Sequence, residues 1–231
     1  MVSSTLHYFY DPLCGWCYAA SPLLQAAAAL PGLGLKLHAG GMMSGSRRQP
    51  VTPALRDYVM PHDRRIASLT GLLFGEAYFD GLLCDAQAVF DSTPPIAAIL
   101  AAAQLGMPPL SMLAALQRAH YQRGLQIADA AVLQMIAQEQ GLDQAGFAAE
   151  LQRQLGLADA HSQNSRQLMQ QYGLQGFPSL LLEQDGQLQR VDVSPWLGQP
   201  QAFVAALQGV LVPEEQTAAP LCAPDGCGLP G

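Results

Sequence analysis

The residues best suited to chemistry are two cysteines three positions apart, Cys14-Gly15-Trp16-Cys17. An alternating apolar run, Leu6-His7-Tyr8-Phe9-Tyr10, precedes them and reads as a buried strand. An alanine-rich stretch with helical spacing, Ala19 to Ala27, follows. The pair therefore sits where a strand hands over to a helix. That puts Cys14 at a helix N-terminus, where unpaired backbone N–H groups and the helix dipole favour an anion. A thiolate is the nucleophile of disulfide exchange. Cys17 lies one helical turn further on, near enough to close a small disulfide ring. Type and spacing together describe a dithiol that cycles between reduced and oxidised forms.

The competing chemistry is half of a zinc site. Zinc takes four ligands, often from two C-x-x-C units or from added histidines. The five histidines (7, 38, 62, 120 and 161) are scattered, so only Cys222 and Cys227 could complete such a site. The strand-to-helix setting favours redox chemistry, with no metal and no cofactor expected. Cys14 thiolate would attack a substrate disulfide to give a mixed disulfide. Cys17 would then attack Cys14 and release the substrate; run backwards, the steps oxidise it.

Composition narrows the setting. The 231 residues are half hydrophobic and 13% charged, enough for a sizeable core, with a net charge of −7 and a single lysine, Lys36. There is no basic stripe, which argues against nucleic acid as a partner. No apolar run approaches the roughly 20 residues needed to span a bilayer, which argues against a membrane protein. From Met1 the chain enters its first strand with no basic segment, apolar segment or cleavage site ahead of it, so the expected location is the cytoplasm. Paired cysteines in that reducing compartment are more often catalytic or metal-binding than structural. The five cysteines divide into two short-spaced pairs and Cys84, read as a buried small hydrophobe.

The elements that must hold the pair can be read along the chain. Residues 5–38 alternate strand, helix and strand, the second strand being Leu33 to His38, with parallel pairing expected. From about residue 53 to 172 helical spacing dominates, with candidate helices near 53–71, 74–82, 94–105, 110–123, 129–140, 144–155 and 159–172. Asp91-Ser92-Thr93-Pro94-Pro95 is a helix-start signal, and Gly106, Gly124, Gly141 and Gly173 fall where C-cap glycines do. Two strands return, Pro178 to Glu183 and Gln187 to Val191, joined by the hairpin dipeptide Asp185-Gly186. A last helix is expected near 199–210. The order is β-α-β, a helical block, then β-β-α.

This order resembles the thioredoxin fold with a helical insertion found in the DsbA superfamily. The segment Tyr10-Asp11-Pro12-Leu13-Cys14-Gly15-Trp16-Cys17-Tyr18 is most similar to its FrnE-like, disulfide-isomerase branch. Gly176-Phe177-Pro178 before a strand resembles the superfamily's approach to its cis-proline. The resemblance implies an α/β thioredoxin-like fold: residues 1–50 and 173–212 form a discontinuous domain, 51–172 a helical insertion and 213–231 a tail. It also implies Cys14 as the attacking thiol, Cys17 as the resolving thiol and Pro178 as the cis-proline. Gly15 and Trp16 would tune the potential and face the substrate, while Phe177 would hold a substrate strand through its backbone. Implied partners are protein or peptide disulfides, with glutathione or a thioredoxin-type electron donor. The Gly15-Trp16 dipeptide lacks the histidine of periplasmic DsbA, which argues against a strongly oxidising potential.

Other residues carry weaker signals. Asp11, before Pro12, reads as a turn or cap residue, with proton transfer or amine binding as its alternative. Trp16 reads as substrate-facing surface, and Tyr18 as core. Met42 and Met43 read as packing against the insertion, or else as an adaptable apolar patch. His7 and His38 read as satisfied strand histidines, and Asp57, Asp63, Arg64 and Arg65 as a solvated helix face. Cys222-Ala-Pro-Asp-Gly-Cys227 contains turn chemistry that could form a second redox pair. The rival functions are a glutathione-dependent transferase or isomerase of small molecules, and a zinc-binding holdase module.

Overall fold

A computed structural model describes residues 4–211. Strand β1 (Ser4–Tyr10) leads into helix α1 (Gly15–Ala27) and strand β2 (Leu33–Ala39). A helical segment follows: α2 (Pro53–Thr70), α3 (Thr93–Gln104), α4 (Pro109–Tyr121), α5 (Ala130–Glu139), α6 (Gln144–Leu155) and α7 (Ala158–Gln171). Before α2 lies the short strand β3 (Gln49–Pro50), and before α3 its antiparallel partner β4 (Val89–Phe90). The chain returns through strands β5 (Ser179–Gln184) and β6 (Gln187–Val191) and helix α8 (Pro200–Leu211).

The main sheet has the order β2-β1-β5-β6. β1 pairs parallel to β2 and antiparallel to β5, and β5 turns back on β6. Period-2 alternation on β1 explains how both faces are covered. Leu6, Tyr8 and Tyr10 belong to the large core cluster that includes α1, while Phe9 on the opposite face packs with Met169 of α7 and Leu181 of β5. The buried alanines of α1 share that large cluster with β1, and α8 packs against the helix. The hairpin dipeptide behaves as read, with positive φ at both Asp185 and Gly186.

The helical segment shares its core with the sheet. Ile96, Ile99, Leu113, Leu116 and Phe147 sit in the same buried cluster as Leu6 and Leu182. Its aromatic centre is a group of edge and stacked contacts among Tyr18, Phe74, Tyr78, His120 and Tyr121.

Three sequence expectations are corrected. The helix expected over 74–82 is instead irregular chain followed by a π-helical turn (Ala77–Gly81) and a 3-10 turn (Leu82–Cys84). The cause is Gly75, whose N–H donates to the Tyr121 carbonyl at 2.9 Å and which lies against the Gln122 carbonyl with no room for a Cβ. Tertiary contact there overrides local helical spacing. Cys84 is exposed rather than buried, with its Sγ 3.7 Å from Arg56 Nη1, because the 3-10 turn points it outward. Asp63 is buried rather than solvated, since Tyr78 of the π turn covers it. The β3–β4 pair is too short to leave a pattern in the sequence.

His120 is 1% exposed, with Nδ1 against the Leu125 carbonyl at 3.3 Å and, among the described residues, no partner for Nε2. Burial lowers its pKa from 6.5 to about 4. The unfolded chain therefore binds the proton first, and stability is lost as pH falls from about 6.5 towards 4. At about 1.4 kcal/mol for each pH unit, this histidine accounts for about 2 kcal/mol of acid destabilisation by pH 5. Urea unfolding of wild type and His120→Phe at pH 7 and pH 5 checks it: the gap between the two proteins should shift by that amount in favour of the variant on acidification. A second expectation concerns Gly40, which follows β2 and whose hydrogens face the Phe177 ring with no room for a Cβ. Gly40→Ala should cost about 1–3 kcal/mol. Phe177→Leu in the same chain should recover much of that loss in a double-mutant cycle.

Candidate active site

Cys14 is the residue at which α1 begins. Its backbone is extended (φ −91°, ψ 114°), and its carbonyl accepts the first helical hydrogen bonds, from Cys17 N–H at 2.9 Å and Tyr18 N–H at 3.1 Å. The strand-to-helix reading of the sequence is therefore the local geometry. Among the described residues no side chain caps this helix end, which leaves amides of its first turn, next to Cys14, without a side-chain partner. Cys14 is 7% exposed and Cys17 fully enclosed, and both are free thiols. Burial pushes the Cys17 thiol well above its ordinary range, and the adjacent Cys14 sulfur adds to the effect. The arrangement has one thiol at the edge of the site and one sealed behind it in the neutral form, the division that attack and resolution require.

The second wall comes from 163 residues further along the chain. The register Phe9↔Ser179 carries the approach to β5 past the end of β1. The Phe177–Pro178 peptide is cis, and the Phe177 carbonyl lies 3.5 Å from Cys14 Sγ, positioned to accept the thiol hydrogen. Tyr8, on β1 beneath the pair, donates its hydroxyl to the Cys17 carbonyl at 3.2 Å.

Asp11 behaves as a turn residue and as a tie to the helical segment. It is fully buried and accepts from Leu13 N–H at 2.9 Å, from Met42 N–H, and from the Ser92 hydroxyl at 2.9 Å. Burial raises its carboxyl to about 6, against the opposing pull of those hydrogen bonds. With its oxygens occupied and enclosed, it has no free face for an amine. Ser92 consequently does not cap α3 with its side chain, although Pro94 and Pro95 begin that helix as read. His7 and His38 pair at 3.0 Å, and His7 reaches Glu183 at 3.0 Å. Tyr18 is core, donating to the Leu73 carbonyl at 3.0 Å.

Two openings flank the dithiol. A groove of about 850 Å³ is lined by Trp16 with Arg65 beside it, by Phe177 and Pro178, and by Asp192 and Ser194. A smaller cavity of about 330 Å³ is lined by Cys14, Gly15, Trp16 and Met42 together with Tyr58, Asp63 and Tyr121. Trp16 is half-buried and borders both, and Met43 also lines the smaller one. The structure thus gathers Cys14, Gly15, Trp16, Cys17, Phe177 and Pro178 in one place. Of the groove's Arg65, Asp192 and Ser194, the last two form a local turn after β6, and Arg65, read in the sequence as part of a solvated face of α2, joins them only in the folded chain. Cys222 and Cys227 lie outside the described residues. Among the described residues, no group of three or more His, Cys, Asp or Glu side chains is placed to hold a metal, and no helix is long and apolar enough to cross a membrane.

Comparison with known proteins agrees with this geometry. The family of DSBA-like thioredoxin domains matches residues 5–204. A cytosolic disulfide reductase, DsbM from Pseudomonas aeruginosa, is 53% identical with a TM-score of 0.85, covering 90% of this chain and 98% of that one. A structure of DsbM with GSH gives 51% identity and a TM-score of 0.83 over the same shares of the two chains. A candidate protein disulfide isomerase from Nitrosomonas europaea has the same fold at 22% identity, with a TM-score of 0.74 over 90% of this chain and 98% of that one. No curated protein matches the sequence. A reactive-edge thiol, a sealed partner and a domain match spanning both halves of the sheet lead to one conclusion: the chain is a thiol–disulfide oxidoreductase and belongs to the DsbA-like thioredoxin family.

Proposed function

We propose that the protein reduces disulfides in the cytosol with glutathione as its electron donor, through Cys14 and Cys17. Cys14 thiolate attacks one sulfur of the substrate, forming a mixed disulfide and releasing the other sulfur as a thiolate. Cys17 loses its proton and attacks Cys14 Sγ; the remaining substrate thiolate departs and the Cys14–Cys17 disulfide forms. A glutathione thiolate then opens that disulfide at Cys14 and frees Cys17. A second glutathione takes the bound glutathionyl sulfur, giving glutathione disulfide and restoring Cys14.

The observation that carries this reading is the chemistry of the groove beside Pro178. Glutathione is an extended peptide with an ammonium at one end and two carboxylates. Asp192, which accepts from Ser194 N–H at 2.9 Å, offers a carboxylate for the ammonium. Arg65 offers a cation for a carboxylate. Arg190 lines the groove but is committed to the Tyr172 and Gly173 carbonyls at 2.7 and 2.6 Å. Pro178 brings no N–H, so the backbone of Phe177 is the pairing edge for an incoming strand. The GSH-bound relative and its cytosolic description support the donor and the location. A small-molecule transferase would use the same groove but would leave Cys17 without a step. In this reading Cys222 and Cys227 form a second dithiol that can also reduce the Cys14–Cys17 disulfide, becoming a disulfide itself, and glutathione returns it to the dithiol.

Insulin reduction driven by glutathione tests the assignment. Cys14→Ser should lower turnover by about a thousandfold or more. Asp192→Ala should raise the glutathione concentration for half-maximal rate about tenfold while leaving the maximal rate near wild type. Serine at both 222 and 227 should slow turnover. Equal rates for wild type and Cys14→Ser would overturn the mechanism, an unmoved glutathione dependence in Asp192→Ala would remove the donor site, and an unchanged rate in the tail variant would remove the second dithiol.

A further inference from the structure

We propose that Asp63 is the proton donor to the thiolate that leaves when Cys14 opens a substrate disulfide, and that the apolar cavity in front of Asp63 receives this leaving half. The inference rests on the glutathione reading above, since it places the glutathionyl half in the groove beside Pro178.

A disulfide attacked by a thiolate has two halves, one kept and one lost. The groove accounts for one. On the other side of Trp16, the cavity of about 330 Å³ contains Cys14 in its wall and is otherwise lined mainly by Met42, Met43, Val59, Ile66 and aromatic rings. Asp63 is the acidic group in that lining. It belongs to α2, and its placement is fixed from two sides. Oδ2 accepts the Tyr78 hydroxyl at 2.7 Å. Oδ1 lies against the Cα of Gly15, the residue after the attacking cysteine, where a Cβ has no room. Among the described residues, no donor is bonded to Oδ1 and no cation pairs with the carboxylate.

The groups around this carboxyl leave its proton free to move. Tyr78 and Tyr121, the ionisable groups that elements other than α2 contribute to this cavity besides Cys14, stay neutral phenols, because burial raises both. Cys14 is the reacting group itself, and Tyr58 and His62 come from α2. The neighbouring arginines are turned elsewhere, Arg64 over the Phe79 ring and Arg65 towards Trp16. Burial holds the Asp63 carboxyl up at about 6, close to neutrality, where a group can both give a proton and regain it. A site for a fixed negative charge would instead supply a cation.

The step balances. The Cys14–sulfur bond forms as the substrate S–S bond breaks, and the electron pair stays on the departing sulfur. That sulfur takes the proton of Asp63, and the carboxylate is reprotonated from water. The benefit is greatest for aliphatic thiols, whose thiolates are basic (about 8.5 for a cysteine). It vanishes for a leaving group that is stable without a proton on sulfur.

Two mixed disulfides with a common glutathionyl half separate these cases, one carrying 2-mercaptoethanol and the other 2-thiopyridine. Single-turnover release is measured with the reduced full chain. Asp63→Asn keeps the size of the side chain and the acceptor for Tyr78. It should slow release of 2-mercaptoethanol by about tenfold or more while leaving release of thiopyridine within about twofold. Equal slowing of both, or of neither, would overturn the proposal. In the wild type alone, where the variant fails to fold, the rate with the mercaptoethanol disulfide relative to the thiopyridyl one should fall as pH rises through about 6. A flat ratio would likewise overturn it, because the ionisation of Cys14 cancels between the two substrates. A wild-type enzyme that opens neither disulfide would overturn the glutathione reading itself, and this inference with it.

Discussion

The antiparallel pairing of β1 with β5 is the constraint on which the site depends. Cys14 and Phe177 are 163 residues apart, and nothing local holds them together. Closing a loop of that length costs entropy, which rises only slowly with length but must be met before any contact forms. The ladder from Thr5↔Glu183 to Phe9↔Ser179 supplies those contacts in a fixed register. Slipping it by one residue would turn Leu180 and Leu182 from the α1 side of the sheet to the α7 side and exchange them with Leu181. The same slip would remove the Phe177 carbonyl from Cys14. Core packing and site geometry are therefore set by one pairing, and a change that loosens one must loosen the other.

The helical segment adds to this frame as well as covering it. Asp11, three residues before the attacking cysteine, receives hydrogen bonds from Met42 after β2 and from Ser92 at the start of α3. The turn that aims Cys14 is thus tied to the helices that wall the site. Asp63 reaches the same turn from α2, against Gly15. Glycine at position 15 has a steric reason here, since the space for a side chain is filled by that carboxyl and by Ile66. The dithiol is held in a setting of buried, largely neutral groups, and this suits exchange between sulfurs, where charge moves only over short distances.

Much of this was legible in the sequence because it is written in local patterns. The alternation of Leu6 to Tyr10, the alanine-rich run after Cys17 and the Asp185-Gly186 turn each fix an element by rules that act within a few residues. The parallel β1–β2 unit and the antiparallel return followed from their order. The misreadings lie where distant parts of the chain decide. Gly75 and the π turn answer to the Tyr121 and Gln122 carbonyls, and Asp63 looked like part of a solvated face until Tyr78 covered it. Asp192 and Ser194 share one turn after β6 but Arg65 comes from α2, more than 120 residues earlier, so nothing local in the sequence ties the groove together. Cys84 was read by the habits of its residue type, whereas a short turn sets its exposure.

The account stands on a division of labour between two neighbouring sulfurs, one within reach of a substrate and one sealed beneath the helix start. Site-resolved mass spectrometry of the reduced protein after brief treatment with iodoacetamide at pH 7 measures that division directly. Cys14 should be alkylated at least about tenfold faster than Cys17, with the exposed Cys84 serving as an internal reference for an ordinary surface thiol. Equal labelling of Cys14 and Cys17, or a Cys14 that stays unmodified while Cys84 reacts, would contradict it.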